Sequence, residues 1–406
     1  MNLKFIQGGV CAPIGFLASG VHCGIRKNKE KKDLALIYSQ QRATAAAVYT
    51  QNLVKGAPIA VTKRNISDGY AQAVICNSGN ANTCNLDGEA KAQQMCDIAS
   101  AQLGIKNEDI IVASTGVIGQ VLPIEPIANA AGILKDSISI TGNDDAAEAI
   151  MTTDTYSKQV AVEFNLDGRI CRIGGMAKGS GMIHPDMATM LCFITSDVSI
   201  ENTALKKVLK EVVDDTFNMV SIDGDTSTND MVAVLCNSMA QNEEITVESK
   251  NYAVFKEALF AVLEKLSKLI AADGEGATRL IECRVKGAAC VETAKKVAKS
   301  VICSSLLKAA VFGADANWGR VLCAIGYSKC DIDVNKIDVN FESEAGMVEV
   351  CKGGSGVDFS EEKAKTVLLC DEIIINVNLN NGNCCAVAWG CDLTYDYVKI
   401  NGDYRT

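Results

Sequence analysis

The sequence predicts an α+β fold, a layered sandwich of mixed sheets with helices outside. Three observations predict it. Residues 158–166 alternate apolar and polar, Asp167-Gly168 turns, and residues 169–173 return; an Asp-Gly pair between two such runs is a strong hairpin signal, and hairpins mean antiparallel pairing. Strand and helix patterns are mixed through both halves rather than strictly alternating, which disfavours a doubly wound nucleotide fold. Finally, no Pro- or Ser-rich stretch is long enough to act as a linker, and no repeat stands out.

Taken in order, strand-like runs at 34–38, 45–49 and 59–61 are separated by polar breaks. Residues 72–77 form a further strand candidate that empties into a turn-rich loop, Asn77-Ser-Gly-Asn-Ala-Asn-Thr83. Residues 88–103 have helical composition, and 109–113 read as a buried strand ending in Ser114-Thr-Gly-Val-Ile-Gly119. Residues 123–138 read as a helix with Pro126 near its first turn, and 144–151 as a second, shorter one. After the hairpin comes the apolar run 190–194, a buried strand. Residues 201–219 are amphipathic and helical, and 221–230 form a polar loop suited to capping a helix from about Asn229. A long amphipathic helix over 252–271 ends at Asp273-Gly274. Two last strand candidates, 372–379 and 384–390, flank Asn381-Gly382.

At 406 residues the chain has ample core for one large domain or two. Its formal charge of −10, spread over scattered acidic residues, argues against nucleic acid or an anionic membrane as partner. No apolar run reaches the roughly 18 residues a membrane helix needs. The start is broken by Gly and Pro and lacks a signal-peptide core, so a cytoplasmic location is expected. Eighteen cysteines invite a metal or disulfide reading, but there is no C-x-x-C, and only two histidines, His22 and His184, are available. Most cysteines sit inside apolar runs (those ending at Cys76, Cys236, Cys303 and Cys323, for example), where they act as small hydrophobes in a reducing compartment. No metal is expected.

The stretch from Lys178 to Asp197 carries the most chemistry. Small residues and a lone lysine lead through Pro185 to Ala188-Thr189, directly before the apolar strand. A threonine there can attack the carbonyl of Ala188, shift the acyl group from nitrogen to oxygen, and let water cleave the ester. The freed α-amine, with an ordinary pKa of about 7.7–8.0, can then serve as base to its own hydroxyl. The plain alternative is a strand residue capping a turn. Gly175 to Gly181 fails the phosphate-loop pattern G-x-x-x-x-G-K-[ST]. Neither histidine has a nucleophile-elbow context for a serine triad, and Cys192 lies within an apolar strand. Thr115-Gly116, at the end of a buried strand, can point two donors at one oxygen, as an oxyanion hole requires, or can be an ordinary strand-to-turn junction. Lys178 can hold a carboxylate, and Glu275 sits where glycines let a ligand approach.

Together these stretches resemble the ornithine acetyltransferase family, the bifunctional glutamate N-acetyltransferases of arginine biosynthesis. The resemblance rests on G-G-V-C-A-P from Gly8, A-T-A-A-A-V from Ala43, N-S-G-N-A-N from Asn77, S-T-G-V-I-G from Ser114 and M-T-T-D-T from Met151. It continues through K-G-S-G-M-I-x-P-x-M-A-T-M-L from Lys178, G-D-T-S-T-N-D from Gly224, D-G-E-G-A-T-R from Asp273, G-A-D-A-N-W-G-R from Gly313 and the closing I-N-G-D-Y-R-T. These cover essentially the whole chain, in the family's order.

The resemblance implies an Ntn-hydrolase-like layered fold of the DmpA/ornithine acetyltransferase type. It implies cleavage between Ala188 and Thr189 into fragments 1–188 and 189–406, paired as a heterotetramer of two of each. Thr189 would be the nucleophile, and Thr115 with Gly116 the oxyanion hole. Thr152, Lys178, Thr189, Glu275, Asn401 and Thr406 would contact substrate. The implied reaction moves acetyl from N2-acetyl-L-ornithine to L-glutamate through acetyl-Thr189, without a cofactor. Some members also use acetyl-CoA as co-substrate to make N-acetylglutamate, and no residue decides which kind this is. Two rivals remain: an Ntn-type aminopeptidase or amidase using the same nucleophile, and a non-catalytic assembly protein that kept the fold.

Overall fold

The computed structural model describes residues 3–184 and 190–403. The Asp-Gly hairpin is present: Lys158–Leu166 and Arg169–Lys178 pair antiparallel from Leu166↔Arg169 onward. Asp167 and Gly168 have φ of 50° and 87°, the positive pair that a two-residue type I′ turn needs.

Among the described residues nine strands make the first sheet, in the order Lys4–Ile6, Lys158–Leu166, Arg169–Lys178, Leu191–Ser196, Met231–Cys236, Leu34–Tyr49, Tyr70–Asn77 and Ile110–Ser114. Phe16–Val21 joins it on Leu34–Tyr49. Two neighbouring pairs are parallel, Leu191–Ser196 with Met231–Cys236 and Tyr70–Asn77 with Ile110–Ser114. Each needs a long crossover, supplied by the helices Asn202–Asp215 and Gly88–Leu103. A second sheet of seven strands runs Ser355–Gly356, Gly346–Lys352, Asp338–Ser343, Glu372–Asn378, Leu280–Ala288, Cys384–Cys391 and Val220–Ser221.

The central strands are buried on both faces, with the period of two that the pleat imposes. Leu191, Phe193, Met231, Ala233 and Leu235 pack on one side. Cys192, Ile194, Val232, Val234 and Cys236 pack on the other. That second face meets Val208 and Val212 of Asn202–Asp215, and Leu259, Val262 and Leu266 of the helix Asn251–Ala272. The latter helix also packs on Leu280–Ala288 and Cys384–Cys391, so it lies between the two sheets. The α+β layered architecture is therefore as the patterning predicts.

Three local expectations are corrected. Residues 59–61 are helical, within Ala57–Asn65, because Pro58 starts a helix where its missing N–H is no loss. The runs 34–38 and 45–49 are one strand, Leu34–Tyr49, whose pairing with Tyr70–Asn77 shifts register between Tyr38 and Ala43. Asn229 caps no helix. The β-branched run after it, buried on both sides, is the strand Met231–Cys236. The two strands expected around Asn381-Gly382 are present, and Leu280–Ala288 lies between them and pairs with both. All eighteen thiols are free, and Cys76 and Cys236 are buried. Cys323 is exposed and Cys303 half-buried, so an apolar sequence neighbourhood overstated the burial of those two.

Candidate active site

Two strands of the first sheet start side by side at Leu191 and Met231, and Arg169–Lys178 ends beside them at Lys178. At this edge Thr115, Lys178, Gly181, Met190, Asn229 and Asp230 line a small cavity of about 30 Å³. The loop that closes it, 222–230, leaves the second sheet after Ser221 and enters the first at Met231. The cavity thus sits where the two sheets are joined by chain.

Asn229 is the fastener. Its Nδ2 donates to the carbonyls of Ala81 (2.6 Å) and Ser114 (2.9 Å), while Oδ1 accepts from the hydroxyls of Thr83 and Thr228, both at 2.6 Å. Every hydrogen-bonding site of the side chain is filled. Asn229→Leu would take a donor from the Ala81 and Ser114 carbonyls and leave the Thr83 and Thr228 hydroxyls only each other and Ala81 O, at about 1–3 kcal/mol for each group left buried and unpaired. The expected result is a clearly lowered melting temperature together with loss of activity, read by calorimetry and assay of one preparation.

Asn229 holds the segment that carries Thr115 and Gly116. The Thr115 N–H donates to Asn77 O at 3.0 Å. Among the described residues, neither the Thr115 hydroxyl nor the Gly116 N–H has a hydrogen-bond partner. Gly116 has φ of 131°, and a Cβ there would stand 2.3 Å from the backbone carbon of Gly79. The turn therefore needs glycine on both counts.

Lys178 is buried, and among the described residues its ammonium makes no ion pair. Burial pushes its pKa down, and the field of Asp154 pushes back. Burial would raise the Asp154 carboxyl too. Lys178 and Lys158 outweigh it and hold that group below the ordinary carboxylate range. Asp230, also lining the cavity, is pushed well above its ordinary value by burial, and among the described residues its Oδ2 accepts no hydrogen bond.

Glu275 follows the end of Asn251–Ala272, its N–H bonded to Ser180 O at 2.8 Å. Its carboxylate lies so close to Gly181 that a Cβ there would be 2.4 Å away. Asn401, on the last helix Tyr395–Asp403, donates Nδ2 to Glu275 Oε2 at 2.7 Å. The Thr152 N–H donates to Asp154 Oδ2 at 2.8 Å, and Asp154 Oδ1 accepts from Gly179 N at 2.7 Å.

The expected residues thus fall together. Thr115 and Lys178 share the cavity, Gly116 adjoins Thr115, and Glu275 reaches the wall at Gly181 with Asn401 bound to it. Thr152 is tied to the loop after Lys178 through Asp154. Ala188, Thr189 and Thr406 lie outside the described residues, but Met190, the next residue in the chain after Thr189, lines the cavity. Sequence reasoning missed Asn229, Asp230, Asp154, Lys158 and Asp273. For Asn229, Asp230, Asp154 and Asp273 the signal was present in the polar clusters G-D-T-S-T-N-D, M-T-T-D-T and D-G-E-G-A-T-R; Lys158, outside them, carried none.

Two donors at a strand end and a buried amine, all without a partner among the described residues, suit an enzyme that handles an acyl group on a charged small molecule. Comparison with known proteins agrees. Residues 17–406 match the family described as the ArgJ family. The Arginine biosynthesis bifunctional protein ArgJ of Symbiobacterium thermophilum is 50% identical over 406 residues, all of both chains. That of Clostridium acetobutylicum, ArgJ 1, is 52% identical over 395 residues, 96% of each. The crystal structure of Arginine biosynthesis bifunctional protein ArgJ from Bacillus halodurans is 47% identical. It superposes with a TM-score of 0.50, covering 52% of this chain and 98% of that one. The chain belongs to the ArgJ family, a family of arginine-biosynthesis enzymes.

Proposed function

We propose that the enzyme transfers the acetyl group of N2-acetyl-L-ornithine to L-glutamate through an acetyl ester on Thr189. The observation that carries this is the grouping of donors at Thr115 and Gly116 with the buried ammonium of Lys178, none of them partnered among the described residues, around a cavity that Met190 lines. Lys178 suits the substrate α-carboxylate and Glu275 its side-chain ammonium. Thr189 Oγ bonds to the acetyl carbon as its proton passes to the α-amine of the same residue. The oxygen that becomes negative is held by the Thr115 hydroxyl and the Gly116 N–H. Collapse breaks the amide C–N bond, and ornithine leaves with the returned proton. Glutamate then attacks the ester through its own neutral amine; the bond from the acetyl carbon to Thr189 Oγ breaks, and the proton lost by the amine returns to Oγ through the Thr189 α-amine.

The nucleophile would arise by cleavage between Ala188 and Thr189. Sheet order supports fragments that stay together afterwards. Leu191–Ser196 and Met231–Cys236 of 189–406 lie between Arg169–Lys178 and Leu34–Tyr49 of 1–188, hydrogen-bonded on both sides. The cut severs one peptide bond and no sheet pairing between described strands. The fragments should co-purify and separate only in denaturant. We assign the assembly to two of each fragment and the location to the cytoplasm; among the described residues no helix is long and apolar enough to cross a membrane. Acetyl-CoA is proposed as a second acetyl donor, to be assayed directly.

Intact mass with and without acetylornithine tests the reading. Two fragments, with one acetyl group on that beginning at Thr189 when glutamate is withheld, are expected. Intersecting-line kinetics with no covalent adduct would overturn it. Free acetate released without glutamate, as fast as transfer, would instead indicate an amidase of the same type.

A further inference from the structure

Lys178 and Glu275 sit on different segments, yet one buried side chain ties both segments down. Lys158 is 0% exposed, and its ammonium donates to Asp154 Oδ1 at 2.7 Å and to Asp273 Oδ2 at 2.5 Å. Asp154 also accepts from the N–H groups of Thr152 and Gly179, the residue after Lys178. Asp273 caps the helix Asn251–Ala272, accepts from the N–H of Thr155 at 3.0 Å and from its hydroxyl, and stands two residues before Glu275. Lys158 therefore binds 152–155, 178–180 and 273–275 into one unit. Without Lys178 the cluster would hold two buried carboxylates against one ammonium; with it the charges balance. A buried charge left unbalanced is costly, which explains why so polar a cluster tolerates burial.

We propose that Asp154, anchored by Lys158 and through it to Asp273, is a positioning residue that fixes Lys178 and keeps it charged to receive the substrate carboxylate. This rests on the reading of Lys178 as the carboxylate site. The groups that act on the Lys178 ammonium are Asp154, Lys158, Asp230 and Glu275, with the Cys76 thiol also nearby. Burial and Lys158 favour its neutral form; Asp154, Asp230 and Glu275 favour the charged one. The substrate carboxylate needs the ammonium, so KM for acetylornithine must rise at alkaline pH as Lys178 loses its proton. Removing the charge of Asp154 must bring that rise to lower pH.

The experiment measures kcat and KM for acetylornithine against pH in wild type, Asp154→Asn, Asp273→Asn and Lys178→Met. Asp154→Asn should begin its alkaline rise about one pH unit or more below wild type, the tenfold bias in protonation that about 1.4 kcal/mol represents, with kcat changed less than KM. Asp273→Asn should move the rise less than Asp154→Asn does. If Asp154→Asn does not fold, the charge-balanced double variant Lys158→Met with Asp273→Asn replaces it. That variant removes a positive neighbour of Lys178, so the rise should move the other way, to higher pH. An alkaline rise at the wild-type pH in Asp154→Asn, or an unmoved one in the double variant, would overturn the inference. Lys178→Met with wild-type KM would overturn the reading beneath it, and separates the two failures.

Discussion

Thr189→Ala is expected to give a single uncut chain, with no acetyl adduct and transfer reduced on the order of 10⁴-fold or more, as when a covalent nucleophile is deleted. One residue is asked to do three things: attack the Ala188 carbonyl, expose its own amine, and then carry the acetyl group. Alanine abolishes all three. Thr189→Ser keeps an Oγ in place and should still cut and transfer, more slowly. Gel mobility and intact mass read cleavage, and steady-state assay reads transfer. An active, uncut Thr189→Ala chain would end the proposed mechanism.

Thr115→Val should lower kcat by about 10²–10³-fold, the usual cost of one oxyanion donor. KM for acetylornithine should change little, because the donor is engaged by charge that develops only in the transition state. Valine keeps the branched shape at a position that is 8% exposed, and the bond from its N–H to Asn77 O survives. Stability should thus stay near wild type while rate falls. A variant that lost binding and rate in proportion would place the hydroxyl on the ground-state substrate instead.

Local patterning read most elements correctly because each carries its signal within a few residues. Asp167-Gly168 dictates a turn wherever it sits between alternating runs, and 88–103 and 252–271 have helical composition over several turns. Where local preference and long-range partners compete, local pattern leaves the pairing open. Asn381-Gly382 has turn chemistry, yet the strand from Leu280 inserts between its flanks, because two fully paired neighbours bury more than one hairpin can.

The candidate site divides in the same way. Its chemistry was legible in one dimension: a threonine before a core strand, a Thr-Gly at a strand end, a lysine among glycines and a glutamate after a helix. Those residue types carry their reactivity wherever they stand. Only the tertiary structure decided that Asn229 would clasp two loops more than a hundred residues away in sequence, or that Lys158 would join Asp154 to Asp273. Hydrogen bonds and buried charges depend on distances of a few ångströms, and those exist only after both sheets and the helix between them have packed.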